Sequence, residues 1–391
     1  MTWVLTALFG RLPIGWLQLS HNRGRLLAAI AGVAFANLLV FVQLGIMGAL
    51  NATTIAPYQL FRADIILASA DSNTLTDGSN IARQRMFQAF AVPGVVDGLA
   101  LYLANLEWQR ADGSSSTLQT FGVDSDAKAF LAPHIAQNFD ELILEDTVLI
   151  DKLARGVPEG ELDAISSSDP YVFEVSNRTL RAVATLEIGG GFNADGTLVA
   201  SDQTFLRLFG SRSAAAPNRI LLKVADGVDP AIVVARLQSV FSPDIVTVST
   251  YEDAAAADLR YQTIERPTGI IFGFGVLMGV LVGIVIVYQI LSSDVSDHLR
   301  EYATFKAMGY GQPFFLGIVF EEAIVLALFG FVPGIVVSLG LYEVLSGATG
   351  LPVAMDFARA VSVFLGTLLA CALSGMIATR RLAGADPADL F

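Results

Sequence analysis

The stretch TGIIFGFGVLMGVLVGIVIVYQIL, residues 268–291, contains no charged side chain over 24 positions. An α-helix rises about 1.5 Å per residue, so a helix of this length crosses the roughly 30 Å hydrocarbon core of a bilayer. Residues 26–50 form a second uncharged stretch of similar length. Buried helices of soluble proteins rarely contain two such runs, so we predict that both segments span a membrane.

Two more apolar stretches follow towards the end of the chain. The segment 313–345 carries charge only at Glu321, Glu322 and Glu343, and the last stretch begins at Arg359. We therefore predict four transmembrane helices, at residues 26–50, 267–291, 313–345 and 359–379.

The charge balance divides the chain into two parts. Charged residues make up only 16% of the 391 residues, against about 25% in soluble domains. The formal charge is −13, and residues 51–266 alone carry −12, from 16 basic and 28 acidic side chains. Neither a disordered chain nor a basic nucleic-acid-binding protein fits these figures, so we expect no nucleic-acid partner. We expect residues 51–266 to form a soluble domain.

The pattern within that domain is mixed α and β. Apolar runs rich in β-branched residues predict strands at 63–68, 171–175, 180–188, 219–224 and 244–249. Helical spacing of apolar residues predicts helices at 81–91, 203–209 and 229–241. Thr250 is a predicted N-cap of a further helix that continues to Arg266. The order strand, helix, strand over 219–249 predicts a βαβ or split βαβ unit. The glycine-rich stretch 189–196 is interpreted as a hairpin loop.

The basic residues predict the orientation, because cytoplasmic segments of membrane proteins are enriched in Lys and Arg. They lie before the first span, between the second and third, and after the fourth: Arg11, Arg23, Arg25, Arg300, Lys306, Arg380 and Arg381. We therefore expect both termini in the cytoplasm, with residues 51–266 and the short loop 346–358 outside. Residues 1–25 are interpreted as an amphipathic lead-in at the cytoplasmic interface, and residues 380–391 as a cytoplasmic tail.

The loop 292–312 is a candidate coupling element. Apolar residues at spacings of three and four predict an amphipathic helix, which Asp294 or the preceding serine caps and Gly309 ends. Its candidate functional residues are Val295, His298, Leu299, Arg300, Glu301, Tyr302, Phe305, Lys306, Met308 and Gly309. Such a helix lies either in the headgroup region or against a cytoplasmic partner. In the second case its apolar residues would insert into the partner, with Arg300 and Glu301 as polar contacts.

Glycines in the spans are candidate sites of helix packing. Gly275, Gly279 and Gly283 recur every four positions, which permits close approach of a neighbouring helix. Gly330 and Gly334, on either side of a proline, predict a kink or a thin point in the third span.

Glu321 and Glu322 are charged residues near the start of the third span. A carboxylate inside a membrane is a functional candidate by default. We interpret this pair as structural or as coupling carboxylates, with an ion or proton site as the alternative.

The sequence lacks the motifs of several enzyme classes. It contains no nucleotide-binding P-loop, no Gly-x-Ser-x-Gly and no His-Glu-x-x-His. The single cysteine, Cys371, and three separate histidines exclude a disulfide framework and a Cys-rich or His-rich metal site. We therefore expect a non-enzymatic chain with no metal or cofactor of its own.

Three stretches carry a family resemblance: ERPTGIIFGFGVLMGVLVGIVIVYQILSSDVSDHLREYATFKAMGYG (265–311), FFLGIVFEEAIVLALFGFVPG (314–334) and RRLAGADPADLF (380–391). With one span, a large outer domain and three further spans in that order, the chain resembles permeases of the MacB, FtsX and LolC/LolE type. It is most similar to the DevC-type ABC exporter permeases of cyanobacteria. The resemblance covers the whole chain and is most specific over 265–334. The chain departs from the family at Glu321-Glu322, where Gln is expected at or beside one position.

The resemblance implies a membrane α-helical fold with four transmembrane helices and a large α+β extracytoplasmic domain inserted between helices 1 and 2. It implies a type VII ABC transporter in which this chain forms a permease homodimer. A separate DevA-like ATPase would bind ATP and magnesium. A glycolipid or other amphiphile would leave through a DevB/HlyD-like periplasmic adaptor and a TolC-like outer-membrane channel. The chain would lie in the cyanobacterial inner membrane, with membrane lipid around its spans.

One alternative is an FtsX-like permease that transmits motion to a periplasmic partner, such as a cell-wall hydrolase, without transporting a substrate. A membrane-anchored sensor is a weaker alternative because it requires a cytoplasmic output domain. The predicted inside segments are no longer than about 25 residues.

Overall fold

The computed structural model describes residues 14–110, 113–124, 126–158 and 160–383. The first half of the predicted lead-in, residues 1–13, and residues 384–391 of the predicted tail lie outside the described residues. The chain divides into two compact units. We call Met1–Gly48, Ile270–Leu345 and Val353–Phe391 the helical unit, and Ala49–Gly269 with Ser346–Pro352 the sheet unit.

The α-helices of the described residues are, in chain order, α1 Ile14–His21, α2 Arg23–Ile55, α3 Gln84–Phe90, α4 Pro133–Ala136, α5 Asp202–Leu208, α6 Pro230–Val240, α7 Tyr251–Arg260, α8 Pro267–Asp297, α9 Leu299–Ala307, α10 Gln312–Thr349 and α11 Phe357–Ala383. The short 3₁₀ turns are Ala56–Leu60, Ala127–Phe130 and Phe139–Ile143. The strands are β1 Ile65–Ser69, β2 Val95–Gln109, β3 Ser115–Val123, β4 Thr147–Asp151, β5 Tyr171–Val175, β6 Arg178–Leu186, β7 Gly196–Ser201, β8 Arg219–Val224 and β9 Val246–Thr250.

Four of these helices, α2, α8, α10 and α11, are long and apolar enough to cross a membrane. Each contains one of the predicted spans and extends past it, because neighbouring polar residues continue the helix. The third helix runs without interruption through Pro333. The chain is therefore a helical membrane protein with one separate α+β unit.

The sheet unit is built on one nine-stranded sheet in the order β5-β6-β4-β7-β3-β2-β8-β1-β9. The longest ladder joins β2 and β3 in antiparallel register from Leu101↔Val123 to Gln109↔Ser115. Parallel pairs join β3 with β7 and β4 with β6, and the other pairs are antiparallel. The sheet is mixed, and its buried side chains form the core of this unit.

The segment β8–α6–β9 is a split βαβ unit, as the sequence predicts. Strand β1 lies between β8 and β9, and its residue Ile65 pairs with Leu222 on one side and Thr250 on the other. Asp229 caps α6 by accepting a hydrogen bond from the N–H of Ala231 at 2.9 Å, and Pro230 follows at the first helical position.

The glycine-rich stretch after β6 is not a hairpin loop, so that prediction is wrong. Strand β4 lies between β6 and β7 and pairs with both. The buried carboxylate of Asp151, in β4, accepts the N–H groups of Ile188, Gly189 and Thr197 at 2.8–3.3 Å. These hydrogen bonds hold the connection across the end of β4. The insertion of β4 between these two strands could not be predicted from the local turn residues.

The helix that begins after Thr250 is shorter than predicted. The Thr250 hydroxyl accepts the N–H of Asp253 at 3.0 Å, so the predicted N-cap is confirmed. The α-helix ends at Arg260 and a π-helical turn, Tyr261–Glu265, follows it. Arg266 is extended because the proline after it disfavours the α conformation.

Candidate coupling site

The short helix α9 lies between the long helices α8 and α10, within the predicted coupling loop. Asp294 does not cap it, since α8 continues to Asp297 and the Asp294 carboxylate lies 3.3 Å from Nη2 of Arg25. The predicted cap is therefore wrong. His298 holds the N-cap position without a side-chain cap bond, and its Nδ1 lies 3.1 Å from Oε2 of Glu301. Met308 follows the last turn and Gly309, with φ of 96°, ends the segment.

The apolar stripe of this segment packs against the helical unit itself. Val295 and Tyr302 are buried in the core of that unit, and Leu299 is half-buried. The half-buried Phe305 contacts the ring of Phe314 at a centroid distance of 5.7 Å. These residues are therefore not free to insert into a partner in this conformation.

The exposed face of the segment is largely polar. Its exposed residues are Arg300, Glu301, Thr304, Ala307, Met308, Gly309 and Tyr310. Met308, which is 60% exposed, and Tyr310 are the large apolar side chains of this face. Lys306 is half-buried. A partner that binds here would meet mixed charge around one methionine.

Gln18 of α1 joins the lead-in helix to α9. Its Nε2 donates to Oε2 of Glu301 at 3.2 Å, and its Oε1 accepts the hydroxyl of Tyr302 at 3.1 Å. Burial opposes ionisation of Glu301, but hydrogen bonds from Gln18 and His298 outweigh it and hold the pKa of its carboxyl below the usual value. The described part of the lead-in is thus part of this site.

Arg25, near the start of α2, forms an ion-pair cluster with the end of α8. Its guanidinium contacts Asp294, which is 2% exposed, and the more exposed Asp297. Together Gln18 and Arg25 connect the N-terminal helices with α9 and with the end of α8.

The two candidate coupling carboxylates lie on α10 and are buried. Glu321 accepts the backbone N–H of Trp16 at 3.3 Å, and the Trp16 ring stacks on Phe329 at 5.8 Å. Glu322 is fully buried, with Asp294 and Glu321 as acidic neighbours and Arg25 as the nearby cation. The pair therefore lies at the contact between α1 and α10, close to the coupling segment.

The candidate packing glycines all face α2. A Cβ atom at Gly279 would lie 3.1 Å from Val40, and one at Gly283 would lie 3.2 Å from Ala36. On α10, a Cβ at Gly330 would lie 2.5 Å from the side chain of Val33. Close contacts of the same kind occur at Gly275, against Gln43, and at Gly334, against Asn37.

The sequence analysis did not assign Gln18 or Arg25 to the site. Neither residue shows a local pattern that reveals its contacts, because those contacts join positions more than 260 residues apart. The available signal was Asp294, a charged residue within a helical segment. A buried carboxylate there needs a cationic partner, which would have led to Arg25.

Residues 273–387 match the protein family described as FtsX-like permease C-terminal. None of the curated protein sequences matches the chain. The matched region includes α9, α10, α11 and most of α8.

Two solved structures are distantly similar to the chain. The periplasmic region of MacB from Actinobacillus actinomycetemcomitans has 12% identity and a TM-score of 0.34, covering 54% of this chain and 96% of that one. The extracellular domain of the noncanonic ABC-type transporter YknZ from Gram-positive bacteria has 10% identity and a TM-score of 0.33, covering 48% and 98%. The family match is confined to residues 273–387, which are similar to the FtsX-like permease C-terminal family.

Proposed function

We propose that this chain is the permease subunit of an ABC transporter whose ATPase is a separate, DevA-like chain. One observation carries the proposal: α9 presents an exposed polar face between two long apolar helices, inside the region that matches the permease family. ATP and magnesium would bind to the partner. The permease would act as a homodimer, each copy resting on one ATPase subunit.

The contacts of α9 support a role in transmitting motion. A displacement of α9 acts on α1 through Gln18, and a displacement of the end of α8 acts on α2 through Arg25. The buried stripe, with Tyr302 at its centre, makes α9 move with the helical unit. The ATPase would therefore push on the face that contains Arg300, Thr304 and Met308.

We propose that the motion drives export of a glycolipid or other amphiphile through a DevB/HlyD-like adaptor and a TolC-like outer-membrane channel. An apolar cavity of about 220 Å³ within the helical unit supports an amphiphilic substrate. Its walls come from α2, α8 and α11, and include Gly279, Gly283 and Gly366. Asn37 is its buried polar group, and its Oδ1 accepts the Thr367 hydroxyl at 2.5 Å.

The coupling face is tested by Thr304→Arg, which adds a long cation where the ATPase would bind. We expect the variant to insert into membranes normally but to lose stimulation of the partner ATPase and its co-purification. Thr179→Arg is the matched control, because Thr179 is an exposed threonine of the sheet unit. Wild-type stimulation in Thr304→Arg would overturn the assignment of this face.

Partner identity distinguishes export from the FtsX-like alternative. Cross-linking to a HlyD-like adaptor would support export, whereas cross-linking to a cell-wall hydrolase would support regulation without transport. The proposed inner-membrane orientation, with both termini in the cytoplasm, is tested by reporter fusions at each end and within the sheet unit. A reporter active outside the membrane at either terminus would contradict it.

A further inference from the structure

A polar cavity of about 190 Å³ lies within the sheet unit, and none of its lining residues is assigned to coupling. Its polar lining includes Thr53, Gln119, Thr197, Asp258, Gln262 and Arg266. The glycine-rich connection after β6 forms another part of the wall, with Gly189 and Gly191. The cavity thus combines one carboxylate and one guanidinium with neutral hydrogen-bonding groups.

Asp258 is a buried carboxylate whose Oδ2 accepts two hydrogen bonds. Its side chain is 4% exposed, and Oδ2 accepts the hydroxyl of Tyr58 at 3.1 Å and the N–H of Leu75 at 2.8 Å. Among the described residues, Oδ1 makes no hydrogen bond of normal length and angle, although the side chain of Gln262 lies close enough to favour the ionised carboxyl. A buried acceptor without a well-placed donor is costly, so the Asp258 carboxylate is the group of this lining that a ligand N–H would stabilise.

Arg266 lines the same cavity and has donors to spare. Its Nη1 donates to Oε1 of Gln262 at 3.0 Å, and no salt bridge involves Arg266 within the described ranges. The guanidinium has five N–H donors in a planar fork, which suits a carboxylate or phosphate group. The cavity therefore has a place for an anion as well as for a donor.

The π-helical turn Tyr261–Glu265 brings these groups onto one wall. In a regular α-helix, residues four and eight positions apart do not project in the same direction, because each turn takes 3.6 residues. The angle between their directions grows with each turn. A π-helical turn contains more residues than an α-helical turn, so it reduces the angle between the directions of Asp258 and Arg266. Single π turns within helices occur frequently at functional sites.

Other parts of the wall are held by hydrogen bonds within the sheet unit. Asp151 holds the backbone of Ile188 and Gly189, and Nη2 of Arg155 donates to the carbonyl of Gly191 at 3.0 Å. Arg219, 1% exposed, donates to the carbonyl of Thr74 at 2.7 Å and so holds the loop that carries Leu75. Small-molecule sites are usually formed in advance in this way.

We propose that this cavity binds a small zwitterion, with its primary ammonium group at Asp258 and its anionic group at Arg266. The ammonium donates to the Asp258 carboxylate, and the anion takes the free N–H groups of the guanidinium. Free amino compounds and the headgroups of aminophospholipids share this chemistry. The proposal is independent of export, because it concerns binding alone.

The test measures binding of O-phosphoethanolamine to the purified full-length chain in detergent, by calorimetry. O-phosphocholine is the matched probe, because its quaternary ammonium has no N–H to donate to Asp258. We expect O-phosphoethanolamine to bind at least about tenfold more tightly. Equal binding of the two probes, or binding of neither, would overturn the proposal.

Two substitutions assign the contacts. Asp258→Asn supplies its own N–H in place of a carboxylate oxygen, so it should abolish the preference between the two probes. Arg266→Gln should weaken both probes by about tenfold while keeping the preference. Thermal unfolding of each variant checks that the sheet unit is intact. An intact Asp258→Asn variant that retains the wild-type preference would overturn the assignment of the ammonium to Asp258.

The source of the ligand is found with nanodiscs that contain phosphatidylethanolamine or phosphatidylcholine. Retention of phosphatidylethanolamine by the wild type, but not by Arg266→Gln, in native mass spectrometry would support a lipid headgroup. Binding of the free probe without retention of the lipid would support a soluble amino compound. If neither the lipid nor the free probe binds, the proposed site is contradicted. Stimulation of the ATPase is measured separately, so this result does not bear on the proposed permease function.

Discussion

Tyr302 and Gln18, 284 positions apart in the sequence, are joined by a hydrogen bond of 3.1 Å in which the tyrosine hydroxyl donates. The same glutamine amide donates to Glu301, so one side chain of α1 holds two neighbouring residues of α9. The described lead-in residues are therefore part of the candidate coupling site.

The substitution Tyr302→Phe tests this relationship. It leaves Oε1 of Gln18 without its donor, so we expect a loss of about 0.5–1.5 kcal/mol in the free energy of unfolding. Amide hydrogen exchange in α9 should become faster. Tyr310→Phe is the matched control because Tyr310 is 46% exposed. Equal effects of the two substitutions would contradict a specific role for the buried hydroxyl.

Arg25→Gln should destabilise the helical unit, since it leaves the buried carboxylate of Asp294 without its cation. We expect a cost of about 1–3 kcal/mol, measured by thermal unfolding in detergent. Adding Asp294→Asn should recover most of the loss, because the double variant no longer buries that charge. If the double variant is as unstable as the sum of the single ones, the two residues are not coupled.

Gly330→Ala should destabilise the packing of α10 on α2. The added Cβ would meet the β-branched side chain of Val33 at 2.5 Å, and overpacking of this kind costs about 1–3 kcal/mol. Gly340→Ala on the same helix is the control, since no atom lies within 4 Å of its Cβ position. There the higher helix propensity of alanine should be neutral or stabilising. We expect a lower melting temperature for Gly330→Ala than for Gly340→Ala. The opposite order would contradict the close packing at Gly330.

The sheet unit should lose stability as the pH rises above the ordinary range of aspartate. Burial raises the pKa of Asp151 and of Asp258 above the usual 3.8, so the folded state holds protons that the unfolded state has released. Their contribution is fully present below about pH 4 and is lost as the pH rises through the folded-state pKa.

Melting of the full chain across the pH range checks this dependence. Asp258→Asn should make the decline shallower. Asp71→Asn should change how the melting temperature depends on pH only at acidic pH, because hydrogen bonds from Ser69 and Ser79 lower the pKa of the Asp71 carboxyl. An unchanged slope in Asp258→Asn would show that this carboxyl does not titrate there.

Local patterns predicted the elements whose residues share one simple environment. The uncharged stretch 268–291 allowed only a long helix, and Tyr171–Val175 was recognised as a strand by its β-branched and aromatic residues. Strand β2 was not predicted, because Asp97 and Gly98 interrupt its apolar pattern near the start. Its pairing with β3 and β8 overrides that local weakness.

The short helix between α8 and α10 was predicted from local spacing, but its contacts were not. The spacing of Val295, Leu299 and Tyr302 marked one apolar face, and two of these three residues are indeed buried. What that face packs against depends on α1 and α10, far along the chain. The cavity beside Asp258 was likewise beyond local patterns, because its walls come from segments that only the fold brings together.

The glycine contacts of α2 set a limit on how the helical unit can deform. Gly279 and Gly283 of α8 lie against Val40 and Ala36, while Gly330 of α10 lies against Val33. An axial slide of α2 would press Val33 against the backbone of α10 at Gly330 and Val40 against that of α8 at Gly279. The three helices are therefore expected to rotate as one rigid body, so that a push delivered at one end arrives at the other as a tilt.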